Sequence, residues 1–298
     1  MKRLLLIYNP TAGRQKVKTM LPTLLDVFAQ KGYLTTVYPT KAKGDATDAA
    51  AALAPDFDRV VCCGGDGTLN ETVTGLMKLT QDRRPVLGYI PTGSTNDFSR
   101  NLSLPRGTAQ MAEVACGGVP RACDLGIVDG RWFTYVAAFG LFTDVSYATP
   151  QNAKNLLGHT AYLIEGASRL TSIQSYHMKV GSADHFVEGD FIYGMVGNTV
   201  SVGGLINLPK SMVKLDDGQF EILLVHKPKN PLEYQDIFRA LLSQQLTSSG
   251  LVEGFSARSV TFTSDAPVPW TLDGEFGGEH TALKIENQQQ VLMLACGK

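Results

Sequence analysis

The first third of the chain alternates short apolar runs with stretches whose apolar residues recur every three and four positions. Leu4-Leu5-Leu6-Ile7-Tyr8 is a continuous apolar run of strand length, and from about Val17 to Lys31 the residues Leu21, Leu24, Leu25 and Phe28 share one helical face. The alternation continues with a strand at Leu34 to Tyr38, an alanine-rich helix from about Asp45 to Leu53 and a strand from Val60 to Cys63. A helix near Leu69 to Leu79 and a strand at Val86 to Ile90 follow. Crossover helices of this length predict an α/β domain with a doubly wound, mostly parallel sheet, because each helix must pack back onto the sheet it leaves.

After about Gly126 the pattern changes. Trp132 to Phe139, Phe191 to Val196, Phe220 to Val225, Val260 to Thr263 and Val291 to Leu294 are strand-like, with Gly, Asp and Pro between them. Helical spacing appears at about Ala153 to Leu170 and Leu232 to Leu246. The expected second domain is β-rich and sandwich-like. The expected division is 1–127 and 128–298, with residues about 290–298 open to a return to the first domain. Ligands of open α/β sheets sit beyond the carboxyl ends of the strands, so the site is expected there, in the cleft between the domains.

Composition narrows the classes. The chain has 298 residues, of which 44% are hydrophobic and 18% charged, which excludes disorder and fibrous repeats. With 27 Lys and Arg against 28 Asp and Glu, it has no cationic excess to release phosphate counterions, so nucleic acid is not an expected partner. No apolar run approaches the ~18 residues of a membrane span, and Met1-Lys2-Arg3 leads directly into a strand without a cleavage-site pattern. The reading is a cytoplasmic protein whose contact with a membrane, if any, is peripheral. Five cysteines without CxxC spacing, Cys62, Cys63, Cys116, Cys123 and Cys296, suggest neither a disulfide framework nor a structural metal.

The strongest chemical signal is Cys63-Gly64-Gly65-Asp66-Gly67-Thr68-Leu69-Asn70-Glu71, directly after a strand and opening a helix. Three glycines in four positions let a ligand approach the backbone, and a helix start presents unpaired N–H groups and positive dipole to an anion. The alternative is a tight turn capped by Asp66 or Thr68, which needs only one such residue. Neither the P-loop nor the GxGxxG pattern occurs, so backbone amides, a metal ion or distant basic groups must handle phosphate, with Asp66 acting on that metal. Pro91-Thr92-Gly93-Ser94-Thr95-Asn96-Asp97-Phe98 is a second polar loop after a strand, and Asn9-Pro10-Thr11-Ala12-Gly13-Arg14 a third. In the second, Ser94 or Thr95 as a helix cap is the competing reading.

NPTAGR, GGDGTLNE and PTGSTNDF, in this order and spacing, resemble the diacylglycerol kinase catalytic-domain family, particularly the soluble bacterial lipid kinases related to sphingosine and ceramide kinases. Asp124-Leu125-Gly126, Gly197-Asn198 with Gly203-Gly204, Asp216-Asp217-Gly218 and Asp273-Gly274-Glu275 extend the likeness over essentially the whole chain. GGDGT alone is shared with NAD kinases and phosphofructokinases; the combination with GSTNDF and a late DGE is more specific. Ser94 stands where Thr is usual, and Ala12 where many members have Ser.

The resemblance implies an ATP-dependent lipid kinase that phosphorylates a hydroxyl of a diacylglycerol-like acceptor, with ATP and Mg²⁺ bound. It implies nucleotide contacts at Asn9, Pro10, Thr11, Ala12, Gly13, Gly64, Gly65, Asp66, Gly67, Thr68, Leu69, Asn70, Glu71, Ser94 and Asn96, and at Thr40 ahead of Gly44-Asp45-Ala46. It places an Asp network around a catalytic Mg²⁺ at Asp66, Asp97 and Asp124, and a general base at Glu275. A separate structural Mg²⁺ loop matches Lys214, Asp217 and Gln219.

Phosphoryl transfer to an alcohol needs in-line positioning, cations over the γ-phosphate and a carboxylate to accept the hydroxyl proton, which suits these residue types. By themselves Asp273-Gly274 and Asp217-Gly218 also read as ordinary turns. The segment around Leu156, Leu157, Tyr162, Leu163 and Ile164 is a candidate wall for an acyl chain, or an ordinary amphipathic helix. Two rival functions remain: a soluble-metabolite kinase of the NAD kinase type and a non-catalytic nucleotide or lipid sensor. A homodimer is compatible with the sequence.

Overall fold

A computed structural model describes residues 1–141, 174–202, 206–208, 213–243 and 250–297. The chain divides into two compact units. One comprises Met1–Tyr135, Leu215–Gly218 and Gln288–Lys298; the other comprises Val136–Lys214 and Gln219–Asn287.

In the first unit β1 (Lys2–Tyr8) pairs in parallel with β2 (Tyr33–Pro39) and with β3 (Arg59–Gly64). β4 (Val86–Pro91) continues beside β3, and the end of β15 (Glu275–Cys296) meets β4 through Leu294 opposite Leu87. Leu4 to Ile7 and Val60 to Cys63 are wholly buried, as their unbroken apolar character demands of strands covered on two faces. Four helices belong to this unit: α1 (Lys16–Gln30), α2 (Asp45–Leu53), α3 (Asp66–Met77) and α4 (Thr108–Gly117). Leu4, Leu6, Val61, Cys63 and Ile90 share a core with Leu24 and Phe28 of α1 and with Ala112 and Ala115 of α4. Each large side chain so buried contributes about 1.5–3 kcal/mol. α2 and α3 approach closely at Gly75, where a Cβ would stand 2.3 Å from the Thr47 carbonyl oxygen.

β5 (Val119–Val128) and β6 (Arg131–Phe133) form a hairpin whose turn residues Asp129 and Gly130 both have positive φ, the conformation an Asp-Gly pair favours.

The second unit is built on β7 (Val136–Gly140), β8 (Tyr176–Gly181), β9 (Phe186–Gly197) and the long β14 (Ser259–Leu272). These four strands close a ring. Thr261–Ser264 of β14 pairs with β8 and Trp270–Leu272 with β7, while β9 pairs with β8 through Phe186–Phe191 and with β7 through Tyr193–Gly197. An irregularity in β14 between Thr263 and Val268 separates its two pairing segments. Phe139, Phe262 and Trp270 pack together there, with ring centroids 4.8 to 6.0 Å apart. β12 (Phe220–His226) and β13 (Val252–Ala257) extend the sheet from β9, and β15 extends it from β14. β10 (Ser201–Val202) and β11 (Ile206–Asn207) form a separate small pair, and α5 spans Pro231–Ser243.

This pairing corrects the expected fold class. The chain is β-rich, with a closed four-strand antiparallel barrel and an extended sheet, in place of a doubly wound mostly parallel sheet followed by a sandwich. β1 through β4 pair in parallel, and β15 joins them through one parallel residue pair. The alternation that predicted parallel strands ends with α4, and beyond it β5 with β6, β7 and β8 with β9, β12 with β13 and β14 with β15 pair antiparallel. Ring closure depends on β14 pairing with both β7 and β8, a contact between segments 80 or more residues apart that hydrophobic periodicity does not encode. The helical reading at Ala153 to Leu170, the acyl-chain wall within it and Gly203-Gly204 lie outside the described residues. No described helix is long and apolar enough to cross a membrane.

Candidate active site

β3 ends at Gly64 and α3 begins at Asp66, so the chain passes from strand to helix through the single residue Gly65. The helix therefore starts ahead of Leu69, with Asp66, Gly67 and Thr68 in its first turn. Gly65 brings no side chain to the N-cap position, which leaves the first amides and the positive end of the α3 dipole to an external partner.

Three loops of the first unit meet here through their backbones. A Cβ on Gly93 would lie 2.6 Å from the Gly65 Cα. Gly13 has φ +55°, and a Cβ there would fall 1.8 Å from the Thr92 carbonyl oxygen, so only glycine fits both the conformation and the space. Backbone hydrogen bonds fix the arrangement. The Asn9 N–H donates to the Cys63 carbonyl (3.0 Å), the Thr92 N–H to the Gly64 carbonyl (2.8 Å) and the Thr40 N–H to the Tyr8 carbonyl (2.9 Å). Asn9 to Gly13, Thr40, Gly64 to Thr68 and Gly93 to Asn96 are thereby gathered at the carboxyl ends of β1 to β4.

Several of the expected contact residues shape these loops. Asn9 Oδ1 accepts from the Thr11 backbone N–H (2.9 Å) and hydroxyl (2.8 Å). Asn96, at φ +52°, folds onto its own loop; its Oδ1 accepts from the Gly93 N–H and its Nδ2 donates to the Gly93 carbonyl, both at 2.8 Å. Leu69 is buried core. Asn70 Nδ2 donates to the Trp132 carbonyl (3.3 Å). Both oxygens of Glu71 accept backbone N–H groups at the start of α2, Gly44 at 2.9 Å and Ala46 at 3.3 Å. Ser94 is exposed in its loop, which continues into a short 3-10 turn at Phe98–Leu102; α4 begins only at Thr108.

The carboxylates fall into different settings. Asp97 is buried, and its backbone N–H donates to Asp66 Oδ2 (3.1 Å), which places these two acids at neighbouring corners. Asp124, wholly buried, accepts the Gly218 N–H (2.6 Å) and the Gln290 N–H (2.8 Å) on its two oxygens, while its own N–H donates to the Leu215 carbonyl (2.7 Å). Asp124 thus braces the Leu215–Gly218 segment and the chain end into the first unit. Asp217 lies in that segment, exposed, whereas Lys214 and Gln219 belong to the second unit. The Gln219 carbonyl accepts from Asn287 Nδ2 (3.1 Å). Among the described residues no three His, Cys, Asp or Glu side chains gather as a self-sufficient metal site.

In the second unit Asp273 and Gly274, both at positive φ, form the two-residue turn between β14 and β15. Asp273 anchors the turn: its Oδ1 accepts from the Val136 N–H (3.0 Å), and its N–H donates to the Val136 carbonyl (2.8 Å). Glu275 follows as the first residue of β15 and is exposed.

Sequence reasoning missed Tyr89. Its hydroxyl donates to the Gly64 carbonyl (3.3 Å), the same oxygen that accepts Thr92. Burial, and then the nearby charge of Asp66, hold this phenol well above its ordinary pKa, so it remains a neutral donor under the glycine corner. Tyr89 lies in an apolar strand, where pattern alone reads it as core. Burial likewise pushes the Cys63 thiol up to about 12 and that of Cys62 higher, which leaves both neutral and unreactive beside the corner.

Residues 3–128 match the model of the diacylglycerol kinase catalytic domain. Over 280 residues the chain is 36% identical to a diacylglycerol kinase of Bacillus subtilis, covering 93% of this chain and 91% of that one. It is 35% identical over 291 residues to a diacylglycerol kinase of Staphylococcus epidermidis, covering 97% and 91%. The crystal structure of a diacylglycerol kinase from Bacillus anthracis superposes with a TM-score of 0.77 over 99% of this chain and 97% of that chain, at 24% identity, a likeness of fold.

Proposed function

This chain belongs to the diacylglycerol kinase family, and from that premise we infer that it transfers the γ-phosphate of ATP to the hydroxyl of a diacylglycerol-like lipid. The observation that carries the reading is the contact of Gly65 with Gly93, which clears side chains from the start of α3 where three polar loops converge. The triphosphate lies at the α3 N-terminus, held by backbone amides in the absence of a Walker lysine. The nucleoside end lies towards Asn9–Gly13 and Thr40.

Asp66 and Asp97 supply hard oxygen donors at adjacent corners. That set fits Mg²⁺, which takes one or two carboxylates together with phosphate oxygens and needs no all-protein cage. Bound there, Mg²⁺ would neutralise charge on the transferring phosphate. Asp124 keeps the Leu215–Gly218 segment in place, and the Asp217 loop, with the carbonyls of Lys214 and Gln219, is a second candidate for a hard cation. Glu275, exposed at a rigid hairpin turn, accepts the proton of the lipid hydroxyl as its oxygen bonds to phosphorus. With a lipid as acceptor and no described helix able to span a bilayer, the enzyme takes its substrate by contact with the membrane surface.

A transfer assay with labelled ATP across diacylglycerol, phosphatidylglycerol, a sphingoid base and soluble alcohols tests the reading. Labelling of diacylglycerol is the expected result, and labelling confined to a soluble alcohol would overturn it. Equal rates on monomeric and vesicle-presented lipid would remove the surface-contact element.

A further inference from the structure

We propose that Glu71 is a positioning residue which sets the distance between the phosphate corner and the Thr40–Gly44 turn, and thereby the seat of the nucleoside end of ATP. The inference rests on the kinase reading above. Glu71 stands in the second turn of α3, the helix whose first turn forms the phosphate corner. Its Oε1 accepts the Gly44 N–H (2.9 Å) and its Oε2 the Ala46 N–H (3.3 Å), so both oxygens are engaged with backbone of another element.

Two consequences follow. The first is electrostatic. Gly44 caps α2 without a side-chain bond, and the Glu71 carboxylate fills that role, satisfying two of the amides a helix start leaves open and countering its dipole. α2 therefore offers no seat to an anion, in contrast to α3, and the turn ahead of it suits the uncharged end of a nucleotide. The second is geometric. The turn is closed within itself by Asp45 Oδ2, which accepts the N–H groups of Lys41 (2.6 Å) and Ala42 (3.1 Å), and it is tied to β1 by the bond from Thr40 to Tyr8. Neither of those ties reaches α3. Glu71 does, aided by Thr47 Oγ1 donating to the Glu71 carbonyl (2.9 Å) and by the close crossing at Gly75.

The test compares ATP with inorganic tripolyphosphate, which shares the phosphates and lacks the nucleoside, in wild type, Glu71→Ala and Glu71→Gln. Dissociation constants for both are measured by titration, and KM for ATP and kcat by steady-state transfer. Loss of two charge-assisted hydrogen bonds predicts about a tenfold weaker ATP affinity and higher KM in Glu71→Ala. Tripolyphosphate affinity stays within about twofold and kcat within about threefold. Glu71→Gln keeps one acceptor oxygen for Gly44 and falls between. Thr47→Val, which spares the carboxylate, gives a smaller change in the same direction and serves if Glu71→Ala fails to fold. Parallel weakening of ATP and tripolyphosphate would overturn the proposal, as would unchanged ATP affinity or a fall confined to kcat. A wild-type protein that binds ATP but phosphorylates no lipid would end the lipid kinase reading while leaving the comparison of dissociation constants intact.

Discussion

Gly93 and Gly65 face each other so closely that a Cβ on Gly93 would stand 2.6 Å from the Gly65 Cα. The Thr92 N–H bonded to the Gly64 carbonyl and the Asn96 clamp on Gly93 leave the second loop little room to retreat. Gly93→Ala is therefore expected to weaken ATP binding by about 100-fold, near 2.7 kcal/mol, and to lower the melting temperature. Gly67→Ala, whose Cβ would meet nothing within 4 Å, is expected to keep or raise it, since Ala is the better helix former by about 1 kcal/mol. Equal melting temperatures for the two variants would contradict the close approach.

Glu275 is exposed beside a turn held by Asp273, so Glu275→Gln should fold normally. The role of general base proposed for it predicts a fall in transfer of about 10² to 10⁴ with ATP affinity unchanged. Near-normal turnover in a steady-state assay would exclude Glu275 from that role.

Asp124 binds two N–H groups from segments 94 and 166 residues away. Asp124→Asn turns an amide donor towards one of them and leaves a buried donor unsatisfied, a loss of about 3 kcal/mol. The melting temperature should fall by roughly 6–12 °C by scanning calorimetry. An unchanged value would show that the brace carries no stability.

Arg59, the first residue of β3, is 8% exposed, and among the described residues its Nε and Nη1 have no hydrogen-bond partner. Two buried guanidinium nitrogens without hydrogen-bond partners oppose folding, and an apolar chain of similar volume relieves the cost. Arg59→Met is expected to raise the melting temperature by about 2–4 °C, corresponding to about 1 kcal/mol. A decrease would mean that water or an anion satisfies the group.

What pattern alone reveals here is local. The glycine-rich strand-to-helix turn at Gly64–Gly67 is readable because its chemistry belongs to consecutive residues: a helix start needs a cap, and Gly65 supplies none. The Asp273-Gly274 turn is equally readable, since positive φ at both positions favours that pair. Glu71 illustrates the limit. The motif that contains it is visible in the sequence, whereas the engagement of its carboxylate with Gly44 and Ala46 depends on how α2 crosses α3.

Where strands and helices alternate, which turns lack side chains and to which family the motifs point can all be read along the chain, because each follows from neighbouring residues and their spacing. The closing of a barrel by β7, β9, β8 and β14, the grip of Asp124 on Gly218 and Gln290, and the place of Tyr89 under the glycine corner became visible only in three dimensions. Those outcomes rest on hydrogen bonds between residues far apart along the chain, and periodicity, which records only the face a residue presents, carries no information about which distant backbone it will meet.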